Sequence, residues 1–441
     1  MLLIILFILL LVWGILCFNI DGFDVASPSV FNSIIWAFVA LVAVIHLSVW
    51  NYDISFFTFS LVVLSCLMFS FGATFSSKVV KNRNYNTINN DNLIFNSNLL
   101  RNVLVVLTLL GFLLLFFNIL EKGGILRSIG QSFSSDNFLF YLRHKEVYGY
   151  KGKYNAILGL MINFLQGVSV YIISIVVRGL FRKDFRINSK VFFWFVLSQI
   201  PILGCDFLST GRDGFVRYFT IILICFLCYM KKYSHNYKEI IRNGSKYLIR
   251  SFVGIVVVFL FAGLFTGKTS EGGFGIILSK YISGALLAFD KSIVTSSVTK
   301  AAADSFRSFY GLQYFLNRFF GIGTLASSRA DQFINVSPSL STNIYTSFYD
   351  YYYDFGYIGT IVIYIIFGLI CGYFYGKTKT AKYEFWIPFY AYYVYALVRQ
   401  ITEAFFLKMA FTENHLVMMF SVILCYSILK GKIFVDPLNQ R

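Results

Sequence analysis

Apolar segments near the length that crosses a bilayer as a helix recur along the chain, parted by shorter polar stretches. They predict about eleven spans, at 2–18, 30–50, 54–75, 102–120, 154–177, 191–206, 214–230, 251–267, 357–376, 385–400 and 414–429. The first, "MLLIILFILLLVWGILCF", has no basic leading region and no small-residue cleavage site, so it reads as a retained span. Several spans are short, which implies tilt or local thinning of the bilayer. Two polar segments, 121–153 and 268–356, are longer than connectors need. Inside the second, "GFGIILSKYISGALLAFDKSI" is apolar but interrupted by Lys280, Gly284 and Asp290, and reads as an interfacial helix lying on the membrane. "SFYGLQYFLNRFFGIG" has a similar amphipathic character. The pattern predicts an all-α polytopic membrane protein, a single membrane-embedded domain over 1–441. Residues 268–356 form a large, partly helical loop over one mouth of the bundle.

Composition agrees: of 441 residues, 57% are hydrophobic and 13% charged, which leaves little soluble mass. The net charge of +17 must be read by side of the membrane. Arg178, Arg182, Lys183, Arg186 and Lys190 form one basic cluster, and residues 231–250 form a second. Lys377, Lys379 and Lys382 make a third, and Lys430 and Lys432 lie in the tail. With the predicted spans all four fall on one side, the cytoplasmic one, and 268–356 falls outside. The charge therefore calls for no nucleic-acid partner. No Gly-Lys-Ser/Thr phosphate loop is present, which argues against an ATP-driven pump. The seven cysteines sit in or beside apolar runs and read as small buried or lipid-facing residues, not as a disulfide framework or a metal site.

Polarity breaks the apolar pattern at three places. In "LSTGRDGFVRYF", Arg212 and Asp213 lie between glycines at the tip of two short spans, and Arg217 follows about one helical turn later. Charge drawn into a membrane is a functional candidate; the plainer reading is a tight hairpin whose arginine reaches lipid headgroups. In "ALVRQITEAFF", Arg399 and Glu403 stand four apart, a spacing that allows an ion pair. His415, in "TENHLVMMF", is a candidate base or hydrogen-bond donor, although a lone interfacial histidine is more often structural. The third place is "STNIYTSFYDYYYDFGYIG", where Asp350 and Asp354 stand among six tyrosines, including Tyr345 and Tyr353, after the polar residues Asn343 and Thr346. An aromatic belt explains the tyrosines but not the acids. With Arg307, Arg318 and Arg329 nearby in sequence, the predicted outer face combines phosphate-binding forks with rings that stack on sugars. That combination suits a lipid-linked saccharide. A transporter would place such groups near mid-membrane.

"TNIYTSFYDYYYDFGYIGTIVIYIIFGLICGYFYG", with Asn343, Thr346, Asp354, Phe355, Gly356 and Gly359, resembles the signature of the Wzy-type O-antigen polymerases, the oligosaccharide repeat-unit polymerases. "LSTGRDGFVRYF" resembles that family's arginine-bearing outer hairpin. The motif match covers about fifty residues, and the likeness of architecture covers most of the chain. The resemblance implies a GT-C-like bundle in the bacterial inner membrane, active at its periplasmic face. It implies glycosyl transfer between two undecaprenyl-pyrophosphate-linked glycans, donor and acceptor, with no cofactor and no metal. Membrane lipid and a chain-length regulator protein are the further partners implied. Arg212 and Arg217, or Arg399, would face the leaving diphosphate. Asp354, Asp331 or Glu403 would accept the hydroxyl proton. Asn343, Tyr345, Thr346, Asp350, Tyr353, Arg307, Arg318, Arg329 and His415 would hold substrate. An O-antigen ligase and a flippase or transporter for lipid-linked oligosaccharide are the alternatives.

Overall fold

The computed structural model describes residues 1–82, 94–134, 138, 141–142, 156–181, 189–208, 213–233, 279–295, 307–322, 333–380, 385–410, 412–430 and 432–435. These residues are mostly helical. Among them, seven helices are long and apolar enough to cross a membrane: Leu2–Ile20, Pro28–Ile45, Phe56–Val80, Ser97–Arg127, Ala156–Gly179, Lys190–Leu208 and Ser347–Lys379. The protein is thus an all-α polytopic membrane protein. Three further predicted spans are also helices, Asp213–Tyr233, Trp386–Arg399 and Glu413–Leu429, outside that set of seven. The predicted span 251–267 lies outside the described residues. The chain reads as one domain in sequence; it gathers into two compact units, Met1–Asn86 with Gly272–Glu413, and Thr87–Glu271 with Asn414–Arg441.

The first unit is built on α1 (Leu2–Ile20), α2 (Pro28–Ile45), the short α3 (Leu47–Trp50) and α4 (Phe56–Asn82). Its later half brings a helix, described below, and a hairpin that lead into a long helix matching α4. α1 starts without a capping side chain of its own. Asp53 serves instead, accepting from the Leu2 N–H at 2.9 Å and the Leu3 N–H at 3.0 Å. Partial burial pushes the Asp53 carboxyl up, but the terminal ammonium and the Leu3, Leu2 and Ile54 N–H groups outweigh it and hold the group below its ordinary value. At the opposite end of these helices, Lys379 pairs with the buried Asp24 at 3.1 Å.

The long helix is Ser347–Thr380, and it packs along the whole of α4 because glycines line the seam. A methyl on Gly368 would collide with the Phe69 carbonyl, and one on Gly372 with the Ala73 carbonyl. One on Gly72 would lie 2.6 Å from the Ile365 carbonyl oxygen. Without a hydrophobic drive between helices in lipid, such close backbone approach supplies the packing energy. Gly372→Ala is expected to cost on the order of 1–3 kcal/mol by overpacking, and Gly372→Leu to abolish the fold. The monodisperse peak of detergent-extracted protein measures this; a wild-type peak from Gly372→Leu would contradict the seam.

The described part of the segment expected to lie on the membrane surface is buried within the protein. Its helix, Ala285–Val294, follows a π-helical turn, Lys280–Gly284. Residues Ala285 to Phe289 have no exposure, and Asp290 is buried too. Asp290 accepts from the Tyr52 hydroxyl at 2.6 Å and the Ser55 N–H at 2.9 Å, so the acid that interrupts the apolar run is an anchor to the α3–α4 corner.

In the second unit, α5 (Ser97–Arg127), α6 (Ala156–Gly179), α7 (Ser189–Leu208) and α8 (Asp213–Tyr233) pack together, and α6 packs against the final helix, Glu413–Leu429. α6 is buried on nearly every side over its second half. A methyl on its Gly167 would collide with Ser421 and the Met418 carbonyl of the final helix. All seven cysteines of the chain are buried and free, so they are core residues, not lipid-facing ones.

Candidate functional site

For the rest of the first unit, α9 is Ala285–Val294, α10 Tyr310–Phe320, α11 Ser347–Thr380, α12 Trp386–Arg399 and α13 Phe405–Ala410. The tyrosine-rich stretch is helical from Ser347, not from 357. Gly356, at φ 67° and ψ −167°, breaks α11 just after that stretch; this is a conformation open to glycine and costly for other residues. Residues 347–355 are thereby a separate half-helix standing on the span.

That half-helix assembles the site. Tyr345, Tyr349 and Tyr353 recur every fourth residue, so they share one face. Their rings follow one another at centroid distances of 4.2 and 6.5 Å. The Arg307 guanidinium lies over this row, 4.9 Å from the Tyr349 ring and 5.4 Å from the Tyr353 ring. Such contacts attract a cation to the ring faces. Arg307 also donates to the Tyr349 hydroxyl at 3.4 Å. Asp350, on the same half-helix, faces two cations: Arg307 Nε at 3.3 Å from Oδ1 and Lys408 Nζ at 3.6 Å from Oδ2. The carboxylate is only 5% exposed, whereas each cationic side chain is 26% exposed. Burial pushes the Tyr345 phenol up to about 12; Tyr349 adds to this and Arg307 opposes it, so Tyr345 is a hydrogen-bond donor at neutral pH.

Asp354 has a different task. Its two oxygens accept the backbone N–H groups of Arg307, at 3.0 Å, and Ser308, at 2.6 Å. It does not cap the helix that follows it. It holds the segment that carries Arg307, just before α10. Asp350 and Asp354 together therefore fix both the backbone and the side chain of one arginine.

The corner between α12 and α13 adjoins this half-helix. Arg399 and Glu403 form the ion pair their spacing predicts, and the Arg399 guanidinium lies 5.7 Å from the Phe405 ring. The next residue, Gln400, accepts the Ser347 N–H through its carbonyl at 2.9 Å and donates its side-chain amide to Asn32 at 2.7 Å. The start of α11 is thus tied to the end of α12. Lys408 is set by a close approach: Gly311 of α10 packs onto its carbonyl, where a methyl would collide. Thr346 is buried just before the half-helix, and its hydroxyl makes no hydrogen bond among the described residues; Asn343 is half-buried.

The second unit holds its own charged centre. Asp206, at the end of α7, accepts from Gln166 of α6 at 2.6 Å and from Arg217 of α8 at 3.3 Å, all three being buried. Arg217 is thus the partner of a buried acid. His415 is buried on the first turn of the final helix of this unit. Arg212, Arg329 and Asp331 lie outside the described residues, as does the side chain of Arg318.

Sequence reading did not single out Lys408, Tyr349, Ser308, Asp206 or Gln166 for the site. A lone lysine in "AFFLKMAF" and a tyrosine repeat of four were the available signals for the first two. Among the described residues, no group of three or more His, Cys, Asp or Glu side chains could hold a metal ion. No protein-family model matches the chain, and neither does any curated protein or solved structure.

Proposed function

We propose that this chain is a membrane glycosyltransferase that polymerises undecaprenyl-pyrophosphate-linked repeat units into O-antigen or a similar surface polysaccharide, without a metal. An eleven-span GT-C-like bundle, with 268–356 on the periplasmic side of a bacterial inner membrane, belongs to the same reading. The observation that carries it is Arg307: a partly exposed guanidinium laid on two phenol rings, with its side chain held by Asp350 and its backbone by Asp354. Fixed cations beside aromatic faces suit a diphosphate joined to a sugar.

In the proposed reaction a hydroxyl oxygen of the acceptor glycan attacks the anomeric carbon of the donor. The bond from that carbon to the diphosphate oxygen breaks, and its electron pair leaves with undecaprenyl pyrophosphate. Arg307 meets the negative charge that develops there. The hydroxyl proton passes to a carboxylate. Asp354 is engaged in holding the Arg307 segment, so Glu403, 22% exposed beside Arg399, is the favoured acceptor among the described residues.

The glycan profile of a strain lacking this chain tests the reading. One repeat unit per lipid A core is the expected result. A full ladder overturns the reading, and the absence of any repeat unit favours the flippase or ligase.

A further inference from the structure

Two cations converge on Asp350 in an unusual way. The separations, 3.3 Å to Arg307 and 3.6 Å to Lys408, exceed the 2.7–2.9 Å of a charge-assisted hydrogen bond. Consistent with that, Oδ1 of Asp350 makes no hydrogen bond among the described residues although it is buried. The carboxylate is buried, and the two cations beside it are each partly exposed. Asp354, the other acid of the half-helix, is taken by two backbone N–H groups. Among the described residues, the ionisable groups that meet at Asp350 are thus two cations, Arg307 and Lys408, at separations longer than a charge-assisted hydrogen bond.

We infer that Asp350 is a resident anion that keeps Arg307 and Lys408 side by side as a two-cation phosphate site and yields them to an arriving phosphate group. The carboxylate prevents the cations from repelling each other apart in the empty site. Its contacts are long, so little is lost when the cations turn to a doubly charged phosphate. The tyrosine row under Arg307 keeps the guanidinium flat and in place as its partner changes. Lys408 supplies a compact point charge beside the planar fork. Gly311 matters because it lets α10 approach the Lys408 backbone. The choice of a diphosphate as ligand rests on the proposed function; the competition between Asp350 and an anion does not.

The test is binding of inorganic pyrophosphate and of farnesyl diphosphate to the full chain purified in detergent, followed by calorimetry. Arg307→Ala and Lys408→Ala should each weaken binding about tenfold or more, since each removes a partner of the anion. Asp350→Asn keeps the shape but removes the competing charge, and should tighten binding at least about fivefold. A merely structural Asp350 predicts the reverse sign. Because Asp350→Asn could misfold, a second measurement uses the wild type: saturating pyrophosphate should protect Lys408 from an amine-acylating reagent, read by mass spectrometry. Unchanged or weaker binding by folded Asp350→Asn, or acylation of Lys408 unaffected by pyrophosphate, would overturn the inference. Tighter binding of the prenyl form assigns the site to a lipid headgroup, and equal binding assigns it to the phosphate alone; both support it. The mutant pattern with no polymer formed would sink the glycosyltransferase reading and leave the phosphate site standing.

Discussion

Arg307→Ala is expected to reduce surface polymer to little more than single repeat units, at normal levels of membrane-inserted protein. The substitution removes the cation that is laid on Tyr349 and Tyr353 and paired with Asp350. A positioned donor at developing charge is typically worth about 3–4 kcal/mol, or roughly 10²–10³ in rate. Lysine keeps the charge but loses the fork and the flat stacking, so Arg307→Lys should retain a minority of the polymer. Ladder length and intensity, normalised to protein, are the readout. Full ladders from Arg307→Ala would remove it from the site.

Asp354→Asn should also lower polymer strongly, and the kinetic form of the loss separates two roles. The carboxylate accepts from two backbone N–H groups, and an amide offers only one oxygen, so its NH₂ would face a second donor. A donor left unsatisfied there costs about 1–3 kcal/mol, which loosens the Arg307 segment. An anchoring Asp354 therefore predicts a raised KM with a smaller change in kcat. A proton-accepting Asp354 predicts a kcat lowered by orders of magnitude with KM little changed. The geometry favours the first result; the second would restore Asp354 as the base and displace Glu403.

Much of the architecture was legible because lipid leaves few choices. Long apolar runs in a chain of this composition call for spanning helices, and among the described residues seven helices are long and apolar enough to span. The start of α11 was not legible: polar and aromatic residues at 347–355 lack the hydropathy of a span, although the tyrosines repeat with a helical period. The run around Asp290 misled for the opposite reason. Its interruption resembles an amphipathic pattern, but the acid is turned inward to Tyr52 and Ser55, more than two hundred residues earlier in sequence. The same limit explains the site. The Arg399–Glu403 pair was visible because its partners stand four apart. The convergence of Arg307, Asp350 and Lys408 joins three distant segments, and no local pattern reports it. Arg217 could be read as a charge near a hairpin tip, but not as the partner of Asp206 and Gln166.

The proposed activity is the making of glycosidic bonds between lipid-linked repeats. The most direct measurement uses the purified full chain in vesicles with a synthetic undecaprenyl-pyrophosphate-linked repeat unit as both donor and acceptor, and no nucleotide sugar. A ladder of lengthened products is expected, with one undecaprenyl pyrophosphate released for each bond formed and both lost in Arg307→Ala. Movement of the labelled lipid between leaflets without any lengthening would contradict it.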